Sequence, residues 1–265
     1  MSDEQPESLG AVRYAVEDRV ATITIDRPWA HNAMTEVMYA ELVEACERAE
    51  ADENVRVAVL RGAGGRAFAS GSDIRQFLDF DSAGQDGLEY ERRIASYFAH
   101  VETLRVPTIA VVEGYAVGGG LGLAMACDLR VCTPRAKFGL PIARTLGNAV
   151  SMAAYARLAE LIGVAHALEL IYLAELIGAE EAARVGLVTR VVEEEQLRST
   201  LAEMTATIAA HAPITLEVTK TAYRRLREHE MPNDEDLLRR AYGSADFHEG
   251  VQSFLEKRPA RWQRR

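Results

Sequence analysis

Short β-branched runs alternate with helix-periodic segments over the first 190 residues, which restricts the chain to α/β architectures with crossover connections. Residues 20–25 alternate apolar side chains with threonine, a strand pattern that Asp26, Arg27 and Pro28 end. Thr35 is placed to cap a helix that sets Met38, Leu42, Ala45 and Ala49 on one face. A buried strand follows at 55–60, then a loop carrying Gly62, Gly64 and Gly65. Segments 73–80 and 90–101 read as helices on either side of a polar stretch at 81–87. A strand at 109–112 follows Pro107. Gly114 and Gly118, Gly119 and Gly120 then make a loop that opens an apolar helix through Ala126, with another strand at 128–132. After Asn148 helices dominate, at 149–162, 165–174 and 179–185. One short strand at 188–192 precedes a helix with Leu197, Leu201, Met204 and Ile208 on one stripe. Further helices are expected near 213–229, 234–242 and 246–256. The expected organisation is a loose lead at 1–10, an α/β core at 11–190 and a helical region at 191–265.

Composition excludes several function classes. Apolar residues make up 48% and charged residues 26%, an ordinary globular balance. A net charge of -10 argues against a general nucleic-acid or anionic-membrane binder. The longest apolar stretches, such as 121–127, are far too short to span a bilayer. The start of the chain (Met1, Ser2, Asp3, Glu4) lacks the pattern of a signal peptide. Cys46, Cys127 and Cys132 are odd in number and lack metal-ligand spacing, as expected of reduced core thiols in a cytoplasmic protein. The histidines show no ligand spacing either, so no metal site is expected.

Two glycine-rich turns carry the chemical signal. The first runs from Gly64 to Ile74 and contains Ser70, Gly71, Ser72 and Asp73; the second runs from Glu113 to Gly122. Each places free backbone N–H groups at a helix start. Brought together, two such turns hold a polarised oxygen between two donors. The plainer reading is that these glycines allow tight turns and close helix packing, and spacing alone leaves both open. Neither turn is a Walker loop, since no Gly-Lys-Ser/Thr follows, and neither fits the dinucleotide fingerprint.

Several pieces in order along residues 12–262 resemble the crotonase superfamily, the enoyl-CoA hydratase/isomerase family. They are Asp26-Arg27-Pro28 with Asn32-Ala33-Met34, the 67–74 segment, Gly114-Tyr115-Ala116 with the triple glycine, and Gly186-Leu187-Val188. Ala212-Pro213 with Lys220, Glu249-Gly250 and the run Phe254-Leu255-Glu256-Lys257-Arg258 complete the match. The resemblance implies a β-β-α spiral core, a C-terminal helical trimerisation region, and a homotrimer or dimer of trimers. It implies an acyl-CoA thioester as substrate, with no further cofactor. The thioester oxygen would sit between the backbone N–H groups of Ser72 and Gly119. Implied substrate and CoA contacts are Ala30, Asn32, Ala33, Phe68, Ser70, Gly71, Asp73, Ile74, Gly118, Pro141 and Ile142. Phe254 and Lys257 would reach the CoA of a neighbouring subunit.

The chain departs from the family where hydratases carry two glutamates that hold and activate water. The matching positions are Gly122 and Ile142, and no Asp or Glu occurs between Leu129 and Ala159. Hydration needs a base to activate water and an acid to deliver a proton, so standard hydration is not expected. Arg144 and Asn148, in an altered turn after Pro141, are candidates for meeting a substrate carboxylate or developing charge. Asp79, Asp81, Glu89 and Tyr90 lie in the segment resembling the family's mobile wall and could supply a relocated carboxylate. Three functions stay open. One is a decarboxylase or lyase that stabilises a thioester enolate, which the intact loops favour. The others are a hydratase or isomerase with a relocated carboxylate, and a non-catalytic acyl-CoA-binding scaffold.

Overall fold

A computed structural model describes residues 10–81, 83–228 and 234–262, so most of the expected lead lies outside the described residues. The strands are β1 (Ala11–Glu17), β2 (Val20–Asp26), β3 (Val57–Gly62), β4 (Ala67–Ala69), β5 (Thr108–Val112), β6 (Tyr115–Val117), β7 (Leu129–Cys132), β8 (Lys137–Gly139), β9 (Ile177–Gly178) and β10 (Arg190–Val191). The helices are α1 (Glu36–Ala51), α2 (Gln85–Thr103), α3 (Gly119–Ala126), α4 (Ile142–Thr145), α5 (Met152–Tyr172), α6 (Ala179–Arg184), α7 (Glu194–Ala210), α8 (Pro213–Glu228), α9 (Glu235–Tyr242) and α10 (Ala245–Leu255).

Two sheets form the frame. The larger has the order β1-β2-β3-β5-β7-β10, parallel except for the antiparallel β1–β2 pair. The smaller has the order β4-β6-β8-β9. Strand β3 shows how the larger sheet buries both faces: Val57 and Val59 point to one cluster, Ala58 and Leu60 to the other. This follows from the two-residue side-chain period of a strand. Leu197 and Met204 of α7 cover the first cluster, and α1 brings Met38, Leu42, Ala45 and Ala49 to the second. The hydroxyl oxygen of Thr35 accepts from the Met38 N–H and caps α1.

Several elements differ from the sequence-based expectation. Residues 11–17 are a strand that the pattern did not announce, because its side chains are mostly half-buried or exposed. The helix expected at 73–80 is a short 3-10 turn, Ile74–Phe77, capped by Asp73. The helix expected from residue 90 begins at Gln85. The segments expected at 149–162 and 165–174 form one run, broken at Gly163 where φ is +75°. Near residue 190 the element type changes but the packing does not stop, since α7 lies on the larger sheet and α9 on α2.

Cys46, Cys127 and Cys132 are buried and free. Burial pushes the thiols of Cys46, Cys127 and Cys132 up to about 12, so all three stay protonated at neutral pH. Among the described residues no helix is long and apolar enough to cross a membrane.

Candidate active site

The two glycine-rich turns meet at one cavity. Gly71 adopts φ +100° and Gly118 φ +58°, conformations that L side chains rarely adopt. A Cβ on Gly71 would lie 3.2 Å from the Gly119 nitrogen, and a Cβ on Gly119 would lie 3.7 Å from the Ser72 nitrogen. The loops are therefore in van der Waals contact, and a side chain on Gly71 would press on the Gly119 backbone. Gly119 is the first residue of α3, whose opening N–H groups have no intrahelical acceptor. Among the hydrogen bonds of the described residues, the backbone N–H groups of Ser72 and Gly119 have no acceptor. Met34 pairs with the neighbours instead: its N–H donates to the Gly71 carbonyl and its carbonyl accepts from the Asp73 N–H.

The Ser72 side chain is held separately. Its Oγ lies 2.8 Å from the Tyr39 hydroxyl and 2.6 Å from the Tyr90 hydroxyl. Burial raises the pKa of both tyrosines, so this chain of hydroxyls is neutral. The hydroxyl of Ser72 is tied between phenols, with no base beside it to make it a nucleophile. What Ser72 offers is its main-chain N–H.

The cavity, about 610 Å³, takes its walls from these turns, from α2, and from the chain at 141–154. Much of the lining is apolar, including Phe77, Ile94, Phe98, Leu146 and Val150. Glu91 supplies a carboxyl group to it. Glu91 is 5% exposed, and its two oxygens accept from the Tyr242 hydroxyl at 2.6 Å and the Ser151 N–H at 2.9 Å. Burial outweighs these two donors and pushes the Glu91 carboxyl up to about 7. Asn148 Nδ2 donates to the Tyr242 oxygen at 3.3 Å, while Asn148 Oδ1 is buried without a partner.

Ser70, Gly71, Ser72, Ile74, Gly118, Gly119, Pro141, Ile142, Asn148 and Phe254 all line this cavity. Phe254 does so from its own chain. His31 and Tyr90 also stand in the wall. Others lie elsewhere. Arg144 is exposed and outside the lining. Phe68 is fully buried core. Asn32 is fully buried; its Nδ2 donates to the Ala63 and Ala67 carbonyls and its Oδ1 accepts from the Arg27 N–H, so it ties the turn before α1 to the turn before β4. Asp73 pairs with Arg75 and the buried Arg27, which hold its carboxyl down at about 2. Ala30, Ala33 and Lys257 are outside the cavity, and Lys257 is exposed. Asp79, Asp81 and Glu89 are outside it too: Asp81 accepts from the Gln85 N–H and Glu89 from the Gln85 side chain.

Of the two positions where hydratases carry glutamate, Ile142 lines the cavity and Gly122 does not. A Cβ on Gly122 would come within 2.8 Å of Phe98 Cε2. The Phe98 ring thus covers the space an acidic side chain would need. Glu91 was not singled out from sequence, although a signal was present. Gly87, Glu91, Ile94, Phe98 and Val101 fall on one helical stripe, and Glu91 is the acid on that apolar face.

A second cavity of about 440 Å³ lies between α8 and the larger sheet. Ion pairs cross its lining, with Lys220 2.9 Å from Asp128 and Arg227 2.5 Å from Glu102. Among the described residues no group of His, Cys, Asp and Glu is placed to hold a metal ion.

Known proteins resemble this chain in sequence and fold. Residues 15–265 match the family model described as enoyl-CoA hydratase/isomerase. The short-chain-enoyl-CoA hydratase of Clostridium acetobutylicum is 32% identical over 246 residues, covering 91% of this chain and 93% of its own. Methylmalonyl-CoA decarboxylase in complex with 2-nitronate-propionyl-CoA superposes with a TM-score of 0.87 at 28% identity, covering 95% of this chain and 98% of that one. An enoyl-CoA hydratase/carnithine racemase from Magnetospirillum magneticum superposes with a TM-score of 0.78 at 33% identity, covering 96% of both chains.

Proposed function

The chain belongs to the enoyl-CoA hydratase/isomerase family, the crotonase superfamily, and from this premise we propose that it turns over an acyl-CoA thioester through an enolate held in a backbone oxyanion hole. The observation that carries the reading is the pair of N–H groups, Ser72 and Gly119, with no acceptor and in adjoining turns at one cavity. Two preorganised donors stabilise the negative oxygen of an enolate far more than the ground-state carbonyl.

The favoured reaction is decarboxylation or a related C–C cleavage. Glycine and isoleucine stand where the two hydratase glutamates belong, and the lining described contains one carboxyl group, Glu91. Hydration asks for two proton-handling groups. Decarboxylation makes the enolate without a base, since the substrate carboxylate leaves as CO₂, and it needs one proton afterwards. The likeness to methylmalonyl-CoA decarboxylase supports the same choice. Glu91 also favours a second reading, an enoyl-CoA isomerase in which one carboxylate carries a proton between two carbons.

The test is mass spectrometry of a thioester panel incubated with the protein in D₂O: crotonyl-, 3-enoyl-, 3-hydroxyacyl-, malonyl-type and branched species. The expected result is loss of CO₂ from a malonyl-type thioester with one deuterium gained at Cα. A shifted double bond selects isomerisation. Thioesters that bind but return without hydration, deuteration or cleavage move the reading to a non-catalytic acyl-CoA-binding scaffold.

We also propose a homotrimer, alone or as a dimer of trimers. Helix α8 leaves Ile214, Val218, Tyr223 and Leu226 between 60% and 74% exposed. Ile214 and Val218 lie one turn apart on one side of the helix, and apolar side chains left so exposed suit burial against another subunit. Native mass spectrometry is expected to show three or six chains; a monomer at micromolar concentration overturns this assignment.

A further inference from the structure

Glu91 is a buried carboxyl group in the wall of the same cavity as Ser72 and Gly119. Its two hydrogen bonds, from Tyr242 and Ser151, leave each oxygen with a further lone pair. The group is fixed from three elements: α2 carries it, α9 brings Tyr242, and the Ser151 cap of α5 brings the N–H. A proton donor to carbon needs this combination of position and restraint.

We propose that Glu91, in its protonated form, delivers the proton to Cα of the thioester enolate. The inference rests on the enolate reading above. The atoms balance. In a 2-carboxyacyl thioester the bond from Cα to the carboxylate carbon breaks and CO₂ leaves. Its electron pair becomes the enolate, whose charge sits on the thioester oxygen between the two N–H groups. The thioester carbonyl then re-forms as Cα takes the proton of Glu91. Glu91 is left as a carboxylate, which water reprotonates.

The surroundings suit this role. Burial holds the Glu91 carboxyl near neutrality, and Asp234, at the start of α9, adds a like charge that raises it further. The other titratable groups coupled to it are phenols: Tyr39 from α1, Tyr90 from α2, Tyr155 from α5 and Tyr242 from α9. The residues of α3 contribute none. A substrate carboxylate entering beside Glu91 also favours its protonated form, since two like charges in an apolar site repel.

The sign of the pH dependence follows. Protonation of the enolate needs Glu91 with its proton, so decarboxylation is expected to fall as pH rises through about 7. The reverse step, removal of a Cα proton from the saturated product thioester, needs Glu91 ionised. Hydrogen–deuterium exchange at Cα of that product is therefore expected to rise through the same range. Two limbs of opposite slope sharing one apparent pKa identify a single group working in both directions.

The experiment follows both reactions between pH 5.5 and 9 for the wild type, Glu91→Gln and Tyr242→Phe. Glu91→Gln keeps the shape of the site. Its amide can donate to the Tyr242 oxygen and accept from the Ser151 N–H, and a flip of the Asn148 amide, whose Oδ1 has no partner, lets it accept the Tyr242 proton. It is expected to bind the product thioester as the wild type does and to lose exchange by about 10²–10⁴-fold. Tyr242→Phe removes a donor that favours the ionised form, so both limbs move to higher pH; a residue that only braces the helices would leave them in place. Wild-type exchange in Glu91→Gln overturns the assignment while the enolate reading stands. Absence of exchange and cleavage in the wild type, with thioester bound, overturns both.

Discussion

Gly119→Pro is expected to lower turnover of any thioester substrate by about 10²–10³-fold, the usual cost of deleting one oxyanion donor. The substitution removes the Gly119 N–H and sets the proline Cδ where its hydrogen pointed, in the space between the two donors. Gly119 is the first residue of α3, the helical position at which proline is best tolerated, because that N–H has no intrahelical acceptor. A Cβ there meets nothing closer than 3.5 Å. The loss should appear in kcat, because the enolate needs the donor more than the ground-state carbonyl does, and binding of a saturated thioester should weaken as well, because the ring Cδ crowds the place of its oxygen. Circular dichroism and thermal melting check that the fold is retained. A folded Gly119→Pro with wild-type kcat would remove the Gly119 N–H from the mechanism.

Much of the frame was legible in sequence because it rests on local signals. Thr35 capping α1 and the Leu197, Leu201, Met204, Ile208 stripe of α7 follow from one stretch of chain each, and both are present. The glycine-rich turn into α3 was legible for the same reason, since Gly118 adopts a conformation that few other residues share. The smaller sheet was not. Strands of three residues, such as β4, β6 and β8, are too short to show a period of two, and pairing between distant segments defines them.

The candidate site divides along the same line. Ser72 and Gly119 could be placed because the backbone supplies them and glycines mark the backbone. Glu91 could not, because its character comes from partners 60 and 151 residues away in the chain. On an isolated α2 it would be a solvated carboxylate; packing against α5 and α9 makes it a buried acid. Arg144 shows the converse. Its chemistry suited a site, but the short helix α4 and its C-cap present Ile142, Thr145 and Leu146 to the cavity and leave Arg144 exposed.

The second large effect is expected at Gly120, where helix propensity predicts the wrong sign. Gly120 lies inside α3, and replacing an interior helical glycine with alanine ordinarily stabilises by roughly 0.5–1 kcal/mol. Here a Cβ would stand 1.9 Å from the Ala69 carbonyl oxygen and 3.0 Å from the Ala69 Cβ. The nearest obstacle is backbone, so no side chain can rotate away, and β4 must separate from α3. Overpacking of this kind costs about 1–3 kcal/mol, visible as a lower urea midpoint with an unchanged slope. The loss of activity should exceed the loss of stability. Ala69 leads into the turn that presents the Ser72 N–H, and Gly120 follows Gly119, so the forced separation moves the two donors apart. A misplacement of about 1 Å is enough to cost about 10² in rate. Gly178→Ala serves as the control, because its Cβ would meet only the tip of Lys137 at 3.4 Å. If Gly120→Ala matched that control in stability and turnover, the tight contact between β4 and α3 would not be what holds the two N–H groups together.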